Sequence, residues 1–241
     1  MISVSVVSHG HGPMVTRLLH ALLALPEVGQ VLLTLNRPEP LSLPNDHRLT
    51  VIRNRRPQGF GRNHNQAFQR AREPLFCVLN PDVILGGNPF PRLIETLHAT
   101  DAGAVAPLVR NTAGVIQPSA RRFQTLPRLA RKLLRGEQSS YPLQPDQPPR
   151  HVDWVAGLFM LVRTPAYRAV GGFDEGYFLY YEDVDLCARL WAAGHPIALD
   201  STVSIVHDAQ YRSHRDPTHF YWHLGSLLRY LRKHRGGAHR P

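Results

Sequence analysis

Short apolar runs and helix-spaced apolar stripes alternate along the first part of the chain, and that alternation predicts the architecture. Residues 2–7 are largely apolar and β-branched and stop at Ser8-His9-Gly10-His11-Gly12-Pro13. Val15, Leu18, Leu19, Leu22, Leu23 and Leu25 follow helical spacing until Pro26, so a helix with one core-facing side is expected there. Residues 31–35 predict a second buried strand ending at Asn36, and residues 49–52 a short third. The loop over 54–61 leads into a predicted helix over about 62–72. Residues 75–79 predict a fourth strand closing on Asn80-Pro81-Asp82, and 104–107 a fifth; between them Pro91 suits the first turn of a helix running to His98. Strands alternating with helices imply an α/β fold with a largely parallel sheet covered on both faces. Such sheets bind ligands beyond the carboxyl ends of their strands. Asn36 and Asn80-Pro81-Asp82 stand at those ends.

The pattern weakens over 109–150. Asn111-Thr112-Ala113-Gly114 predicts a turn. Arg121, Arg122, Arg128, Arg131, Lys132 and Arg135 interleave with Leu126, Leu129, Leu133 and Leu134, a basic amphipathic segment suited to an anionic surface. The Pro- and Gln-rich residues 141–149 form a loop, and the whole stretch is read as an insertion within one domain. Residues 152–162 return to strand character with Gly157 inside, where a glycine implies close backbone approach. Thr164-Pro165 starts a helix and Gly194 stops another. Residues 196–199 and 203–206 predict two short strands, the second ending at His207. A last helix is expected over 219–234, with Trp222, Leu224, Leu227, Leu228 and Leu231 on it and Arg229, Arg232, Lys233 and His234 late in it.

Glycines and aromatics crowd residues 170–181 just ahead of Glu182, Asp183 and Asp185. Val184, Leu186, Cys187, Leu190 and Trp191 then take helical spacing, so the three carboxylates fall in a first helical turn. A capped helix start accounts for acids there, because the positive end of the dipole favours them. A catalytic carboxylate on the floor of an aromatic-walled pocket accounts for them too, since it can take a proton from an attacking hydroxyl.

Composition narrows the partners. In 241 residues, 28 Lys and Arg against 18 Asp and Glu give a net charge of +10, which points to an anionic partner: nucleotide phosphates, lipid phosphates, a membrane surface or nucleic acid. Hydrophobic residues at 43% suffice for a sizeable core. Cys77 and Cys187 sit inside apolar runs without zinc-type spacing and read as small buried hydrophobes in a reducing compartment. No apolar run approaches the roughly 20 residues of a spanning helix, and the N-terminus lacks a signal-peptide layout. A cytoplasmic protein is expected.

Asn80-Pro81-Asp82 suits an ordinary turn, and equally a hard oxygen ligand for a divalent ion shared with phosphates. Gly59-Phe60-Gly61-Arg62-Asn63-His64-Asn65 offers backbone donors to an anion but lacks the P-loop and dinucleotide fingerprints, so an ordinary helix entry is favoured. His207 suits a structural residue or a metal or phosphate ligand. His9/His11 and His219/His223 lack an evident third ligand and read as loop and helix-face residues.

Taken together, these residues resemble the family 2 inverting glycosyltransferases of the GT-A fold, and most closely their bacterial rhamnosyltransferase-like members. The resemblance rests on Gly171-Gly172-Phe173-Asp174-Glu175 through Tyr180-Tyr181-Glu182-Asp183-Val184-Asp185-Leu186, and on Asn54, Gly59-Phe60 and Asn63 to Asn65 one helix ahead of Leu79-Asn80-Pro81-Asp82. It implies the nucleotide-diphospho-sugar transferase fold: a mixed, mostly parallel central sheet flanked by helices in a single domain over 1–213. The nucleotide-binding half would be about 1–107 and the acceptor and catalytic half about 108–213, followed by a basic C-terminal helix and tail over 214–241. It further implies Asp183 as catalytic base with Glu182 and Asp185 beside it. Asp82 and His207 would be metal ligands for Mg²⁺ or Mn²⁺, Asn80 replacing the first Asp of the family's Asp-x-Asp motif. Ser8, His9, Asn36, Asn54, Gly59, Phe60, Asn63, Asn65, Asn80, Trp154, Gly157 and Tyr181 would bind substrates. Many members carry an Asp just before the position of Asn36, where this chain has Leu35, so the resemblance does not choose between dTDP and UDP.

The implied reaction moves a sugar, rhamnose or another hexose, from a nucleotide-diphosphate donor to a glycan or lipid-linked acceptor, for polysaccharide biosynthesis. The basic segments around 121–135 and 229–235 suggest peripheral contact with the anionic inner face of a membrane. A nucleotidyltransferase on a similar sheet is the nearest enzyme alternative, but its glycine- and arginine-rich N-terminal phosphate loop is missing. A nucleic-acid-binding protein would fit the charge, yet no helix-turn-helix, aromatic ribonucleoprotein motif or zinc knuckle appears, so no nucleic acid partner is expected.

Overall fold

A computed structural model describes residues 1–136, 138–208 and 217–235. The first part reads β1 (Ile2–Ser8), α1 (Pro13–Leu23), β2 (Val28–Leu35), β3 (Leu49–Arg53), α2 (Phe60–Phe68), β4 (Leu75–Leu79), β5 (Val83–Ile84), α3 (Phe90–Ala99) and β6 (Ala104–Arg110). There follow β7 (Ala120–Arg121), α4 (Leu126–Arg135), β8 (Arg150–His151), β9 (Trp154–Val155), β10 (Phe159–Arg163), α5 (Thr164–Ala169), α6 (Glu182–Ala192), β11 (Ile197–His207) and α7 (Pro217–Lys233). The main sheet runs β3-β2-β1-β4-β10-β6-β11-β5, with β8 added beside β11. The pairs β3–β2, β2–β1, β1–β4 and β6–β11 are parallel; β10 is antiparallel to both neighbours.

Both faces of this sheet are buried, and this explains the continuous apolar runs. In β4, Phe76 and Val78 join one core while Cys77 and Leu79 join the other. The first core also holds Ala67 of α2, Ala166 and Tyr167 of α5, and Val184 to Trp191 of α6; the second holds Val15 to Leu22 of α1 and Phe90 to Leu97 of α3. Both cysteines are buried and free. No helix among the described residues is long and apolar enough to cross a membrane.

Several boundaries differ from the sequence pattern for identifiable reasons. Helix α2 begins at Phe60 and ends at Phe68, short of the predicted 72. The amides of Arg72 and Glu73 are taken at 3.2 Å by the Ser3 hydroxyl oxygen, a long-range acceptor that ends the local ladder. The run over 152–162 breaks into β9, which pairs with β7 in a separate small sheet, and β10, which enters the main sheet. The predicted strands at 196–199 and 203–206 are one strand, β11, with a register shift between Asp200 and Ser204. Thr164 does not cap α5; it is the helix's first residue, and its hydroxyl donates to Glu73 O at 2.8 Å. The domain boundary expected at 213 lies outside the described residues.

Candidate active site

Asn36, Asn54 and Asn63 form one amide network beyond the ends of β2 and β3. Asn36 Nδ2 donates to Gln58 O at 2.9 Å and contacts His9 Nδ1 at 3.1 Å; its Oδ1 accepts from Gln58 N at 2.8 Å and Asn54 Nδ2 at 2.9 Å. Asn63 accepts from Asn54 Nδ2 at 2.6 Å and donates to Gln58 O and Gly59 O. Asn36 and Asn63 are buried, so their first task is to hold the loop over 54–59. Ser8 is also buried, with its Oγ 3.4 Å from His11 Nδ1. Burial lowers the pKa of both His9 and His11, which favours their neutral forms.

The glycine loop does not present a row of free amides. Phe60 N donates to Phe178 O at 3.1 Å, and a Cβ on Gly59 would lie 2.7 Å from that same oxygen. Gly59 is therefore required by close backbone packing. Asn65, expected at the substrate, has a structural task instead: its Oδ1 accepts from Phe173 N at 2.9 Å and Tyr167 OH at 2.8 Å, while its Nδ2 donates to Phe173 O at 2.9 Å. It clamps the 172–173 turn onto α2. Both polar ends of the side chain are in use, so none is left for a ligand.

Two consecutive tyrosines, Tyr180 and Tyr181, hold positive φ of 71° and 64° immediately before Glu182. Left-handed backbone at non-glycine residues is strained by about 1–3 kcal/mol each and is characteristic of functional turns. The turn sets Asp183 in the first turn of α6, where its Oδ2 accepts from Gly157 N at 3.0 Å and its Oδ1 from Val184 N at 2.8 Å. A Cβ on Gly157 would sit 3.3 Å from the Phe60 ring and 3.4 Å from Asp183 Cβ, so this glycine admits both. Asp183 keeps some exposure, yet protein atoms crowd its carboxyl, and that desolvation raises its pKa. Burial, then the neighbouring Asp183 charge, raises Glu182 further; its Oε2 is buried without a partner among the described residues. Burial thus favours a proton on the Glu182–Asp183 pair, and Asp183 is the member whose two oxygens are held by backbone N–H groups.

Asp185 does not share that site. It is fully enclosed and bound by Arg189 Nε at 2.7 Å, Lys233 Nζ at 2.8 Å and His234 Nε2 at 2.9 Å. It anchors α7 to α6, because a carboxylate buried on the core side of α6 demands charged partners. Trp154 likewise supports from behind: it is buried in β9, its Nε1 donates to Arg122 O at 3.1 Å, and the Arg121 guanidinium lies 5.8 Å over its ring. Tyr181 packs on Tyr230 and His223 of α7 with centroids 5.5 and 5.3 Å away.

At the far side, Asp82 Oδ2 lies 3.2 Å from His207 Nε2, brought there by the β5–β11 pairing. His207 Nδ1 donates to Gln117 Oε1 at 2.9 Å, which fixes the ring with Nε2 toward the carboxylate. Asp82 Oδ1 is buried without a partner among the described residues. Among the described residues no cluster of three or more His, Cys, Asp or Glu exists that would hold an ion by protein ligands alone.

Asp82 and Asp183 both lie near the β4–β10 junction. Asn80 N donates to Leu158 O at 2.8 Å, one residue from the Gly157 amide that holds Asp183, so a short backbone path across the β4–β10 junction joins the two sides. The adjoining cavity of about 1020 Å³ is lined by His9, Asn36, Gln58, Phe60, Asn63, Asn80 and Pro81; Asp82 and Asp183 are not among its lining residues, although Asp82 follows Pro81 in the chain and Gly157, which holds Asp183, packs against Phe60. Ser8, Asn54, Asn65, Trp154, Gly157 and Tyr181 do not line it. His219 and Trp222 of α7 do, a role that helical spacing alone does not reveal. The run His219-Phe220-Tyr221-Trp222, too aromatic for a solvated face, was the available signal.

Residues 41–218 match the family described as glycosyltransferase like family 2. The chain is 30% identical over 252 residues to the rhamnosyltransferase WbbL of Escherichia coli K12, spanning 98% of this chain and 94% of that protein. It is 34% identical over 172 residues to the N-acetylglucosaminyl-diphospho-decaprenol L-rhamnosyltransferase of Mycobacterium tuberculosis, covering 66% of this chain but only 55% of the relative. Among solved structures, GalNAc-T7 with UDP, GalNAc and Mn²⁺ superimposes with a TM-score of 0.70 at 15% identity, over 96% of this chain and 48% of that one. The mannosyltransferase PcManGT of Pyrobaculum calidifontis with GDP-Man and Mn²⁺ gives 0.59 at 15% identity, over 95% and 64%. These last two likenesses establish a shared GT-A fold.

Proposed function

The chain belongs to glycosyltransferase family 2, and from that premise we propose that this glycosyltransferase moves rhamnose or another hexose from a dTDP- or UDP-linked donor to a hydroxyl of a glycan or lipid-linked acceptor. The observation that carries the reading is Asp183: a carboxylate with raised proton affinity, oriented by Gly157 N–H and separated by that glycine from Phe60, which lines a cavity large enough for a nucleotide sugar. In a single inverting displacement the acceptor O–H proton passes to Asp183 as its oxygen bonds to the anomeric carbon. The bond from that carbon to the diphosphate oxygen breaks, and the nucleoside diphosphate departs with the electron pair. Asp183 then returns the proton to solvent. A base whose pKa is raised takes the proton more completely than an ordinary carboxylate.

The donor set at Asp82 suits a divalent ion. One buried carboxylate oxygen has no partner among the described residues, and the other lies 3.2 Å from the imidazole Nε2 of His207, a common metal-ligand pair of oxygen and nitrogen. Asp82 and His207 would hold Mg²⁺ or Mn²⁺, with diphosphate oxygens and water filling the remaining positions. Such an ion neutralises charge on the departing diphosphate. The test is calorimetric titration of UDP and dTDP, with and without Mn²⁺ or Mg²⁺. Asp82→Ala is expected to abolish the metal-dependent part of the affinity and leave the metal-free binding as it is; binding equally strengthened by metal in the variant would refute the assignment.

Peripheral membrane contact rests on α4 and the outer side of α7. Arg229, Lys233 and His234 cannot serve it as expected, because Asp174 and Asp185 engage them internally. Helix α4 is capped by Thr125 and closed by Gly136 in the left-handed region; it exposes Leu126 (69%) and Leu134 (84%) beside Arg135. The Lys132 charge, after burial, depresses His223, so α4 lies near α7, which exposes Phe220 (67%) and Tyr221 (70%). Apolar side chains among cations fit an anionic leaflet. Co-sedimentation with phosphatidylserine-containing vesicles should exceed that with neutral ones and fall in Leu134→Glu. Equal pelleting with both vesicle types would remove membrane contact from the proposal.

A further inference from the structure

Resting on the nucleotide-sugar reading, we infer that Trp222 of the C-terminal helix is the nucleobase-stacking residue of the donor site. The cavity is built from the ends of β1 and β2, the 57–63 segment and Asn80-Pro81, and it stops short of Asp82 and Asp183, where the diphosphate and the reacting carbon would lie. The nucleoside would then occupy the cavity itself. Polar reading of the base there is constrained. Leu35 is buried and apolar, and all four hydrogen-bonding positions of the Asn36 amide are engaged by His9, Asn54 and Gln58. What the wall does offer is ring surface: Trp222 lies 4.9 Å from Phe178 with planes inclined at 45°, and both line the cavity together with His219. A purine or pyrimidine ring presents a flat face to which an indole is the best protein complement.

This wall is held in place by contacts that do not involve Trp222. Ser226 Oγ donates to Leu179 O at 2.9 Å, Tyr230 is fully buried, Arg229 and Lys233 meet Asp174, and Lys233 and His234 meet Asp185. Tyr180 OH and His219 Nδ1 are 2.8 Å apart, which ties the start of α7 to the strained turn before α6. The family match ends at residue 218, so Trp222 belongs to a part of the chain that the match does not cover. Nucleobase stacking on such a segment would make donor choice a property of the C-terminal helix.

Three proteins decide it: the wild type, Trp222→Ala and Trp222→Phe, each titrated calorimetrically with UDP, dTDP and inorganic pyrophosphate in the presence of Mn²⁺. Loss of the ring should weaken both nucleotides about tenfold, in line with the measured worth of one base–aromatic stack, while pyrophosphate affinity stays level and the Phe variant recovers most of the loss. The other tryptophans, Trp154 and Trp191, are buried in the core. Nucleotide should therefore quench wild-type emission, and the quench should vanish in Trp222→Phe. Unchanged nucleotide affinity in the Ala variant overturns the inference, as does an equal fall for pyrophosphate, which would mean a general loosening of α7. A wild type that binds neither nucleotide fails at the earlier step and takes the donor reading with it.

Discussion

Replacing Asp183 by Asn is expected to lower turnover by about 10²–10⁴-fold, the usual contribution of a positioned general base, while nucleotide affinity stays near wild type. The amide keeps one oxygen for one of the two N–H groups, Gly157 or Val184, that orient the side chain and turns its NH2 to the other, so the variant removes the basicity together with one orienting hydrogen bond. The pH profile supplies an independent check. Activity requires the ionised base, and burial raises the pKa of Asp183. The acid limb of kcat/KM should therefore fall at a higher pH than an ordinary carboxylate near 3.9 would give. Burial, then the Asp183 charge, raises the pKa of Glu182 and favours its protonated form, so Glu182→Gln, which imitates that form, should retain most of the activity. Full turnover in Asp183→Asn would dismiss the base assignment, and loss of activity in Glu182→Gln alone would transfer it to Glu182.

The largest expected effect on stability comes from Asp185. Removing one member of a buried charge network leaves its partners uncompensated, at a cost of about 3–5 kcal/mol. Lys233 is partly exposed and can turn to solvent, so the lower end applies to Asp185→Asn. At this chain length that corresponds to roughly 6–12 °C in Tm. The sign with pH is determined. Burial alone would raise the Asp185 pKa, but the His234 hydrogen bond, the Arg189 charge and Lys233 outweigh it and leave it lowered. A carboxylate lowered in the folded state contributes its full stability above the unfolded pKa of about 3.9 and loses it as pH falls below that value. The gap in Tm between wild type and variant should thus be wide at pH 7 and close in acid. A variant melting with the wild type at pH 7 would show that α7 is held by Tyr230 and Asp174 without this network.

The order of strands and helices was legible in the chain because each signal is local. A β-branched run between turn residues, or leucines at three- and four-residue intervals, reports burial of one segment whatever it packs against. For the same reason the carboxylates of α6 could be placed in a first helical turn, and Asn36 and Asp82 at strand ends, without coordinates. The roles of those polar residues were not legible. Asp183 and Asp185 are two positions apart in similar company, yet a helix turns them to different neighbours: one meets Gly157, the other Lys233 and His234 in the protein's interior. Asn65 and Gly59 look like ligand contacts in a motif, and became packing devices only once Phe173 and Phe178 lay against them. Insertion of antiparallel β10 beside β4, which brings Leu158, next to Gly157, onto Asn80, depends on pairing across about a third of the chain. Periodicity carries no information about such partners. Whether a polar group binds a ligand or holds the fold depends on which distant surface reaches it first, and tertiary packing alone decides that.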